Sequence, residues 1–353
     1  MYTHLRKVIF RIGPETSHLL TIKLLKCLRY IPFAKGILRL SFSIHDKSLE
    51  REVLGIKFKN PVGLAAGFDK NAEIVGELDC LGFGFVEIGS VTPLPQPGNP
   101  KPRVFRLPAD KALVNRMGIN NVGAKAVIKN LHRCRTKKQI IVGGNLSKNA
   151  TTFNVHAPAD YERCFALLYN EVDYFVVNVS CPNVTSLTQL QDRDILTQII
   201  DRIINVRHYR DEYKPILLKI SPDLNTAQLD DILDLVREKG IDGIVAVNTS
   251  VTREALHTPA EKVETIGKGG LSGAPLTAKA IERVRYIYAK TQGQVPIIGV
   301  GGVMTPDDAV NMLAAGASLI QVYTGFVYNG PGFVKKILKR LKQEVLWTQP
   351  SLP

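Results

Sequence analysis

The sequence lacks the features that mark several common classes of protein. Its five cysteines are scattered, with no CxxC pair and no metal-ligand spacing, which argues against a disulfide scaffold and suits a reducing compartment. No apolar run approaches the ~20 residues that cross a bilayer, and the N-terminus has no signal-peptide pattern. There is no GxGxxG after a predicted strand and no P-loop motif, and the predicted strand ends have no HExxH and no paired acidic cluster. Dinucleotide, P-loop and metal-hydrolase functions are therefore poorly supported, and we expect no metal ion.

Acidic residues are also scarce at the start of the chain. The 353 residues carry a net charge of +14, and between Met1 and His45 eight lysines and arginines stand against Glu15 alone. Apolar residues in this segment recur at helical spacing before and after Gly13, Pro32 ends the second run, and a third short helix is predicted over Phe33–Phe42. Basic amphipathic helices fit an anionic membrane surface, whereas a cap packed on its own protein fits the same pattern. The charge is not interleaved with aromatic residues, which disfavours nucleic-acid binding.

From Asn60 onward the pattern predicts short apolar strands that alternate with helices such as 160–168, 190–206 and 226–238. Both faces of these strands are apolar, as in parallel strands covered by helices. Eight such units predict an α/β fold, a (β/α)₈ TIM barrel, with residues 1–45 as an N-terminal helical domain and 46–353 as the barrel domain. The predicted strands span 62–66, 85–89, 140–144, 174–179, 215–220, 243–247, 296–300 and 319–322.

The carboxyl ends of these strands are rich in amides, hydroxyls, glycines and two lysines. One asparagine at a strand end is commonly a turn former, but its repetition around a barrel rim indicates a large polar site. The segments GVGG and VYTG, with GGLSG nearby, predict a phosphate site and favour a phosphorylated cofactor. Lys70 and Lys219 are candidates either for a Schiff base or for a fixed charge beside an anionic ligand.

Many segments closely resemble the dihydroorotate dehydrogenase family, in collinear order from about Asp46 to Leu338. They include NPVGLAAGFDKNAE, GNPKPRVFRL, NRMGINNVG, NVSCPN, NTSVTR, GGLSGAPL, IIGVGGV and QVYTGFVYNGP. The resemblance implies FMN at the barrel mouth and oxidation of dihydroorotate to orotate in pyrimidine synthesis. GPETSHLL resembles the helical domain of the quinone-using class, which implies a peripheral, monomeric protein on the cytoplasmic side of the cell membrane. Its acceptor would be ubiquinone or menaquinone.

The resemblance also carries site residues over to this chain, position by position. FMN contacts would be Ala65, Ala66, Gly67, Lys70, Ser90, Asn145, Asn178, Lys219, Val247, Gly273, Gly302, Tyr323 and Thr324. Dihydroorotate contacts would be Lys70, Asn115, Arg116, Met117, Gly118, Ile119, Asn178, Asn183, Asn248 and Thr249. The quinone would meet His18, Arg106 and Tyr323. Asparagine offers both a donor and an acceptor, which suits the imide-like ring of the substrate.

Four positions depart from the quinone class. That class has Ser at the position of Cys181 and Thr at the position of Val247. It also has a Phe and a Thr that help to relay the proton of the serine, and this chain has Ile119 and Val184 in their places. A thiol titrates near pH 8.5, so it needs less assistance as a base. We therefore expect Cys181 to take the C5 proton of dihydroorotate as hydride leaves C6 for flavin N5. A small buried thiol is the alternative role.

Two other functions stay open at this stage. The first is a soluble type of dihydroorotate dehydrogenase that uses fumarate or NAD, since Cys181 is characteristic of that class, although those forms lack the basic N-terminal extension. The second is a flavin-free phosphate-binding barrel, such as an aldolase or a sensor.

Overall fold

The computed structural model describes residues 2–134, 140–180 and 193–344, and its centre is a closed barrel of eight parallel strands. The strands of the whole fold, in chain order, are β1 (Arg51–Val53), β2 (Ile56–Phe58), β3 (Val62–Leu64), β4 (Phe85–Val91), β5 (Val104–Leu107), β6 (Ala112–Asn115), β7 (Ile141–Leu146), β8 (Tyr174–Asn178), β9 (Ile216–Ile220), β10 (Gly243–Ala246), β11 (Gly270–Gly273), β12 (Ile297–Val300) and β13 (Leu319–Val322). The barrel order is β3-β4-β7-β8-β9-β10-β12-β13. All eight predicted strands are therefore confirmed, and so is the α/β barrel class.

The helices alternate with the barrel strands as the sequence predicts. They are α1 (Tyr2–Ile9), α2 (Pro14–Leu28), α3 (Ala34–Phe42), α4 (Val75–Cys80), α5 (Ala124–Cys134), α6 (Ala157–Leu168), α7 (Arg193–His208), α8 (Thr226–Lys239), α9 (Ala260–Ile266), α10 (Thr277–Thr291), α11 (Pro306–Ala314), α12 (Thr324–Asn329) and α13 (Phe333–Lys342). Within the described residues, no helix is both long and apolar enough to cross a membrane.

The amino end of the barrel is filled by large side chains. Phe58, Phe85, Tyr174 and Leu217 are fully buried and pack in one cluster, with the Phe58 and Phe85 rings 5.3 Å apart. Phe58 comes from the hairpin of β1 and β2, which the strand pattern did not predict. The hairpin covers this end of the barrel, so the opposite end is the one available to a ligand.

A second small sheet lies beside the carboxyl ends of the barrel strands. β5, β6 and β11 form an antiparallel sheet in which Asn115 pairs with both Val104 and Gly270. This sheet carries the segment that follows Asn115, which the resemblance assigns to the substrate. Because β5 and β6 precede β7–β10 in the chain and β11 follows them, the sheet brings distant parts of the chain to the same side of the barrel.

Buried acidic residues of α4 connect the end of α2 and helix α3 to the barrel. The side chain of Glu77 is fully buried and pairs with Arg29 at 2.9 Å and Lys35 at 3.1 Å. Asp79, on the same helix, pairs with Arg39 at 2.8 Å and with Lys59. Burial raises the pKa of Glu77, but the two cations outweigh it and hold that pKa below its usual value. These charges fix α2 and α3 against the barrel.

Replacing Glu77 with Gln is expected to destabilise the protein by about 2–3 kcal/mol, because two partly buried cations lose their partner. Glu73→Gln is the matched control, since Glu73 pairs with Lys26 in a more exposed position, with side-chain exposures of 30% and 42%. That change should cost less than about 1 kcal/mol. Denaturant unfolding measures both values, and equal losses would contradict a specific role for the buried pair.

Candidate active site

The carboxyl ends of the barrel strands surround a cavity of about 170 Å³, which we call the mouth cavity. It is lined by strand ends, by the β5-β6-β11 sheet and by the start of α12. Its lining residues are Ala65, Ala66, Gly67, Lys70, Ser90, Val104, Leu113, Asn115, Met117, Gly118, Ile119, Asn178, Lys219, Val247, Asn248, Thr249, Ser272, Gly273, Leu276, Val300, Gly301, Gly302, Val303, Gln321, Val322, Tyr323, Thr324 and Gly325.

One side of the mouth cavity is a hydrogen-bonded row of amides and hydroxyls. The Asn178 amide donates to the Ser90 hydroxyl at 2.9 Å, and Ser90 donates to the Oδ1 of Asn145. Asn248 donates to the Oδ1 of Asn178 at 3.3 Å and to the Ser180 hydroxyl at 3.0 Å. These residues end different strands, so the row joins β4, β7, β8 and the loop after β10. It presents donors and acceptors in a fixed order.

The opposite end of the mouth cavity is made of glycines and hydroxyls. The hydroxyls of Ser272 and Thr324 lie 2.9 Å apart, and Gly273 and Gly302 lie beside them in the cavity wall. Gly302 adopts a φ of 69°, and a Cβ there would lie 2.3 Å from the backbone of Thr277. Only glycine fits that position. Hydroxyl donors, glycine backbone and the first residues of α12 are groups that suit a phosphate.

Lys70 extends from the loop after β3 toward the substrate segment predicted by the resemblance. Its Nζ donates to the Oδ1 of Asn120 at 2.7 Å and contacts the Met117 sulfur at 2.9 Å. Its charge is thus held at the edge of the mouth cavity. These partners suit a charged ammonium group and so favour the fixed-charge role of Lys70 over a Schiff base.

Of the described residues predicted to contact FMN or dihydroorotate, all line the mouth cavity except Asn145 and Arg116. Asn145 is fully buried behind the wall and reaches the cavity through Ser90 and Asn178. The Arg116 guanidinium donates to the carbonyls of Ile266 and Lys268 and stacks on the Phe105 ring, at 4.5 Å from its centroid. It therefore points away from the cavity.

Cys181 and Asn183, with Val184, lie outside the described residues. The residues immediately before them belong to the site, since Asn178 lines the mouth cavity and Ser180 accepts a hydrogen bond from Asn248. The other four cysteines are free, and none of them is among the residues that line the mouth cavity. The position of residue 180 makes Cys181 the thiol nearest in sequence to this site.

A second, apolar cavity of about 360 Å³ lies between the N-terminal helices and the barrel. The three residues that the resemblance assigned to a quinone, His18, Arg106 and Tyr323, all line it. The other lining residues are Tyr2, Leu5, Ile9, Phe10, Pro14, Glu15, Ser17, Thr21, Leu24, Leu25, Leu38, Phe42, Phe68, Leu81, Val104, Leu113, Met117, Phe326, Val327, Gly330 and Pro331.

The two cavities share a wall. Val104, Leu113, Met117 and Tyr323 line both of them, so a molecule in one cavity is separated from a molecule in the other by single side chains. Burial raises the pKa of Tyr323 to about 12, so its phenol stays protonated. Tyr323 directly follows β13, whereas Val104 and Leu113 belong to β5 and β6, so the shared wall is formed by the barrel and the small sheet together.

The polar groups of the apolar cavity are few and fixed. The Arg106 guanidinium donates to the carbonyl of Ile12 at 2.6 Å and lies 4.4 Å from the centre of the Phe10 ring. Burial lowers the pKa of His18 to about 4, and the nearby charge of Lys70 adds to the effect. The imidazole of His18 packs edge-on against Phe68, at 4.9 Å between ring centres. It is therefore neutral at pH 7.

Sequence reasoning missed several residues beneath and beside the site. Glu87, Gln321 and Ser272 were not among the predicted contacts, although Glu87 lies within the strand-end segment EIGS and Gln321 directly precedes the strand-end segment VYTG. For Glu87 a signal was available, since a charged residue in an otherwise apolar strand is buried only when it has polar partners.

The fold and the two cavities define the class of this protein as a (β/α)₈ barrel with a polar ligand site at its mouth and an apolar one beside it. A family model described as dihydroorotate dehydrogenase matches residues 48–345. The chain belongs to the dihydroorotate dehydrogenase family, as the sequence resemblance predicted.

Two relatives that share one name match most of the chain. A protein of Christiangramia forsetii named dihydroorotate dehydrogenase (quinone) is 47% identical over 347 residues, which are 98% of this chain and 100% of the relative. A protein of the same name from Thermosynechococcus vestitus is 47% identical over 309 residues, 85% of this chain and 82% of the relative. The prediction of the quinone-dependent class is confirmed.

Solved structures of the family agree with the fold. The dihydroorotate dehydrogenase of Eimeria tenella in complex with ferulenol has a TM-score of 0.84 and 35% identity, and the match covers 93% of this chain and 90% of that one. The ligand-free form of the Eimeria enzyme gives the same TM-score and identity over 93% and 94% of the two chains.

The low pKa of His18 has a measurable consequence. The unfolded imidazole takes up a proton below about pH 6.5, whereas the folded one does so below about pH 4, so stability is constant above pH 6.5 and falls between pH 6.5 and 4. When the pH falls from 7 to 5, the free energy of unfolding should therefore decrease by about 1–2 kcal/mol more in the unchanged protein than in the His18→Gln variant.

Denaturant unfolding at the two pH values measures this difference, and histidine NMR checks its cause. The signal that is missing from His18→Gln should not titrate above pH 5. A midpoint near pH 6.5 for that signal would contradict a buried, neutral imidazole.

Proposed function

We propose that this chain oxidises dihydroorotate to orotate beside an FMN held in the mouth cavity, and that a quinone in the apolar cavity accepts the electrons. Dihydroorotate oxidation with a quinone acceptor, in pyrimidine biosynthesis, follows from membership of this family and from the names of its relatives. The flavin, the individual residues and the membrane surface are what the proposal adds. The shared wall between the two cavities is the observation that carries it.

The chemistry of the mouth cavity fits FMN from end to end. Gly273, Gly302, Ser272 and Thr324 suit the phosphate, and the amide row with Lys219 suits the carbonyl and nitrogen edge of the ring. Ala65, Ala66, Gly67 and Val247 offer small side chains that leave room for a flat ring. When bound, FMN would supply the two-electron chemistry that no side chain can provide. Asn145 would act by orienting Ser90 and Asn178.

The substrate would lie between the amide row and the segment that follows β6. Lys70 supplies a positive charge for the carboxylate of dihydroorotate. Asn115, Asn178, Asn248 and Thr249 supply donors and acceptors for the ring. The backbone of residues 116–119 closes the same side of the cavity, and Asn183 would complete the set. Together they orient the C5 and C6 atoms and limit the access of water.

Cys181 would act as the base that removes the C5 proton. The amide row ends at Asn178 and Ser180, and Cys181 is the next residue in the sequence, so the proposal assigns its thiol to the substrate beside this row. A thiol pKa near 8.5 is close enough to neutrality for general-base catalysis without a hydroxyl relay. Ile119, which lines the cavity, and Val184 stand where the quinone class has a Phe and a Thr that help to relay the proton, so the Thr hydroxyl of that relay has no counterpart here.

The apolar cavity would bind the quinone. His18 and Arg106 offer polar contacts at the cavity wall, and Tyr323 separates the cavity from the flavin site. A neutral imidazole and a protonated phenol add no charge beside an incoming quinone, and the carboxylate of Glu15, which also lines the cavity, is paired with Arg103 at 2.8 Å. The exposed residues Leu5 and Leu24 also line this cavity, so its entrance lies in an apolar surface.

Residues 1–45 would form the domain that rests on the membrane. Of the eighteen large apolar side chains exposed in the described part of the chain, eleven lie in this segment. The most exposed are Tyr30, Phe33 and Leu40, between 82% and 87%. A basic, apolar surface at the entrance of a quinone site suits an anionic bilayer. The free cysteines suit the reducing, cytoplasmic side of a cell membrane.

Anaerobic mixing tests the function and the base together. The purified protein should absorb near ~450 nm as a flavoprotein, lose this colour with dihydroorotate, and regain it with a quinone but not with fumarate or NAD. Cys181→Ala should slow the loss of colour by about 10²–10⁴-fold, because the C5 proton has no acceptor. Stopped-flow absorbance measures both steps.

Cys27→Ser is the matched control for the loss of a thiol, since Cys27 is exposed on α2 and lines neither cavity. It should reduce its flavin at the rate of the unchanged protein. A colourless protein would overturn the proposed function, and rapid reduction in Cys181→Ala would remove that residue from the base role.

Membrane contact is tested by a pair of charge substitutions. Phe33→Glu and Leu40→Glu should each weaken binding to phosphatidylglycerol-containing vesicles by about tenfold or more, since burial of such a side chain is worth about 1.5–3 kcal/mol. Phe153→Glu is the control, because Phe153 is 77% exposed on the barrel, outside residues 1–45. Cosedimentation measures the binding, and equal effects of all three changes would contradict the assignment.

A further inference from the structure

A buried carboxylate lies beneath the mouth cavity, at a position that the proposed reaction does not use. Glu87 belongs to β4, its side chain is fully buried, and it meets donors from three other strands. The Asn145 amide donates to its Oε1 at 2.7 Å, and the Gln321 amide donates to its Oε2 at 2.6 Å. The Lys219 ammonium lies 3.5 Å from Oε1. Glu87 therefore joins β4 to β7, β9 and β13.

The partners of Glu87 require a carboxylate rather than an amide. An ionised carboxylate accepts at both oxygens, whereas a glutamine side chain presents an NH₂ group on one side. Asn145 and Gln321 both donate their amide N–H groups, so a glutamine at position 87 would face one of them with a donor. The negative charge of Glu87 also pairs with the positive charge of Lys219, which is only 7% exposed and would otherwise be a nearly buried, unpaired cation.

Two of the three partners touch the wall of the mouth cavity at its amide end. Lys219 and Gln321 line the cavity, and Asn145 holds the Ser90 hydroxyl and contacts Asn178. This end lies opposite the glycines and hydroxyls that suit a phosphate. A flavin anchored by its phosphate at the glycine end would therefore place its ring beside Lys219.

We propose that Glu87 is a positioning residue that sets the reduction potential of the flavin, by holding Lys219 and Asn145 and by offsetting the charge of Lys219. This inference rests on the proposed function, because it requires a flavin in the mouth cavity. Reduction adds two electrons to the ring and raises its negative charge, and a nearby cation stabilises that state. The Glu87 carboxylate weakens this stabilisation, since it shares the Lys219 charge.

Glu87→Gln should therefore make the flavin easier to reduce. The two-electron reduction constant should rise by about tenfold, which corresponds to a potential about 30 mV more positive. Equilibrium titration of the flavin absorbance against a redox dye measures this in the absence of substrate and quinone. An unchanged or more negative potential would overturn the proposal.

A double-mutant cycle tests whether the effect passes through Lys219. In a Lys219→Gln background, Glu87→Gln should shift the potential by less than half of its effect in the unchanged protein, because the charge that it offsets is gone. Equal shifts in both backgrounds would contradict this route. Phe58→Leu is the control for disturbance of the barrel interior, since Phe58 is fully buried beside Phe85 and the change alters no charge or hydrogen bond of the side chain. It should leave the potential unchanged.

If Glu87→Gln does not retain flavin, Glu87→Asp takes its place. The shorter carboxylate draws away from Lys219, so a smaller shift to a more positive potential is expected, and no shift would count against the proposal. A protein without flavin before any substitution would instead contradict the proposed function. The two failures are thus distinguishable from the first absorbance spectrum.

Discussion

The site depends on one constraint, which is that polar side chains inside a closed barrel must satisfy one another. The side chain of Glu87 is fully buried at the centre of the barrel, so it needs donors from β7, β9 and β13. Asn145 is then held at one oxygen of Glu87 and passes its orientation to Ser90 and Asn178. The orientation of the polar groups that face a ligand is therefore determined by the buried residues Glu87 and Asn145, before any ligand binds.

The position of the apolar cavity depends on charge in the same way. Glu77 and Asp79 are buried in α4, and cations from α2 and α3 come to them, so the helices are held at a fixed place on the barrel. An apolar contact alone would not determine the angle of the helices, because the hydrophobic effect is not directional. The ion pairs fix the helices where their inner face and the barrel enclose the second cavity.

The sequence was sufficient for the barrel and for most of the rim, and the reason is periodicity. Strands that are covered on both faces have apolar runs of a recognisable length, and the residues after each run lie at one end of the barrel. Partners across strands leave no such pattern. The contact of Glu87 with Gln321 joins residues 234 positions apart, and the direction of the Arg116 side chain depends on carbonyls after α9. The hairpin of β1 and β2 was missed because each strand has three residues.

The shared wall explains why the chain needs two cavities rather than one larger one. Removal of a proton from a carbon acid requires polar groups of fixed orientation, whereas a long apolar acceptor is bound by burial of its hydrocarbon surface. A single cavity would expose the amide row to the acceptor and the acceptor to water. Tyr323, Val104, Leu113 and Met117 keep the two environments apart, yet they are only one side chain thick. In the proposed reaction, electrons would cross this wall, while the substrate and its proton would stay on the polar side.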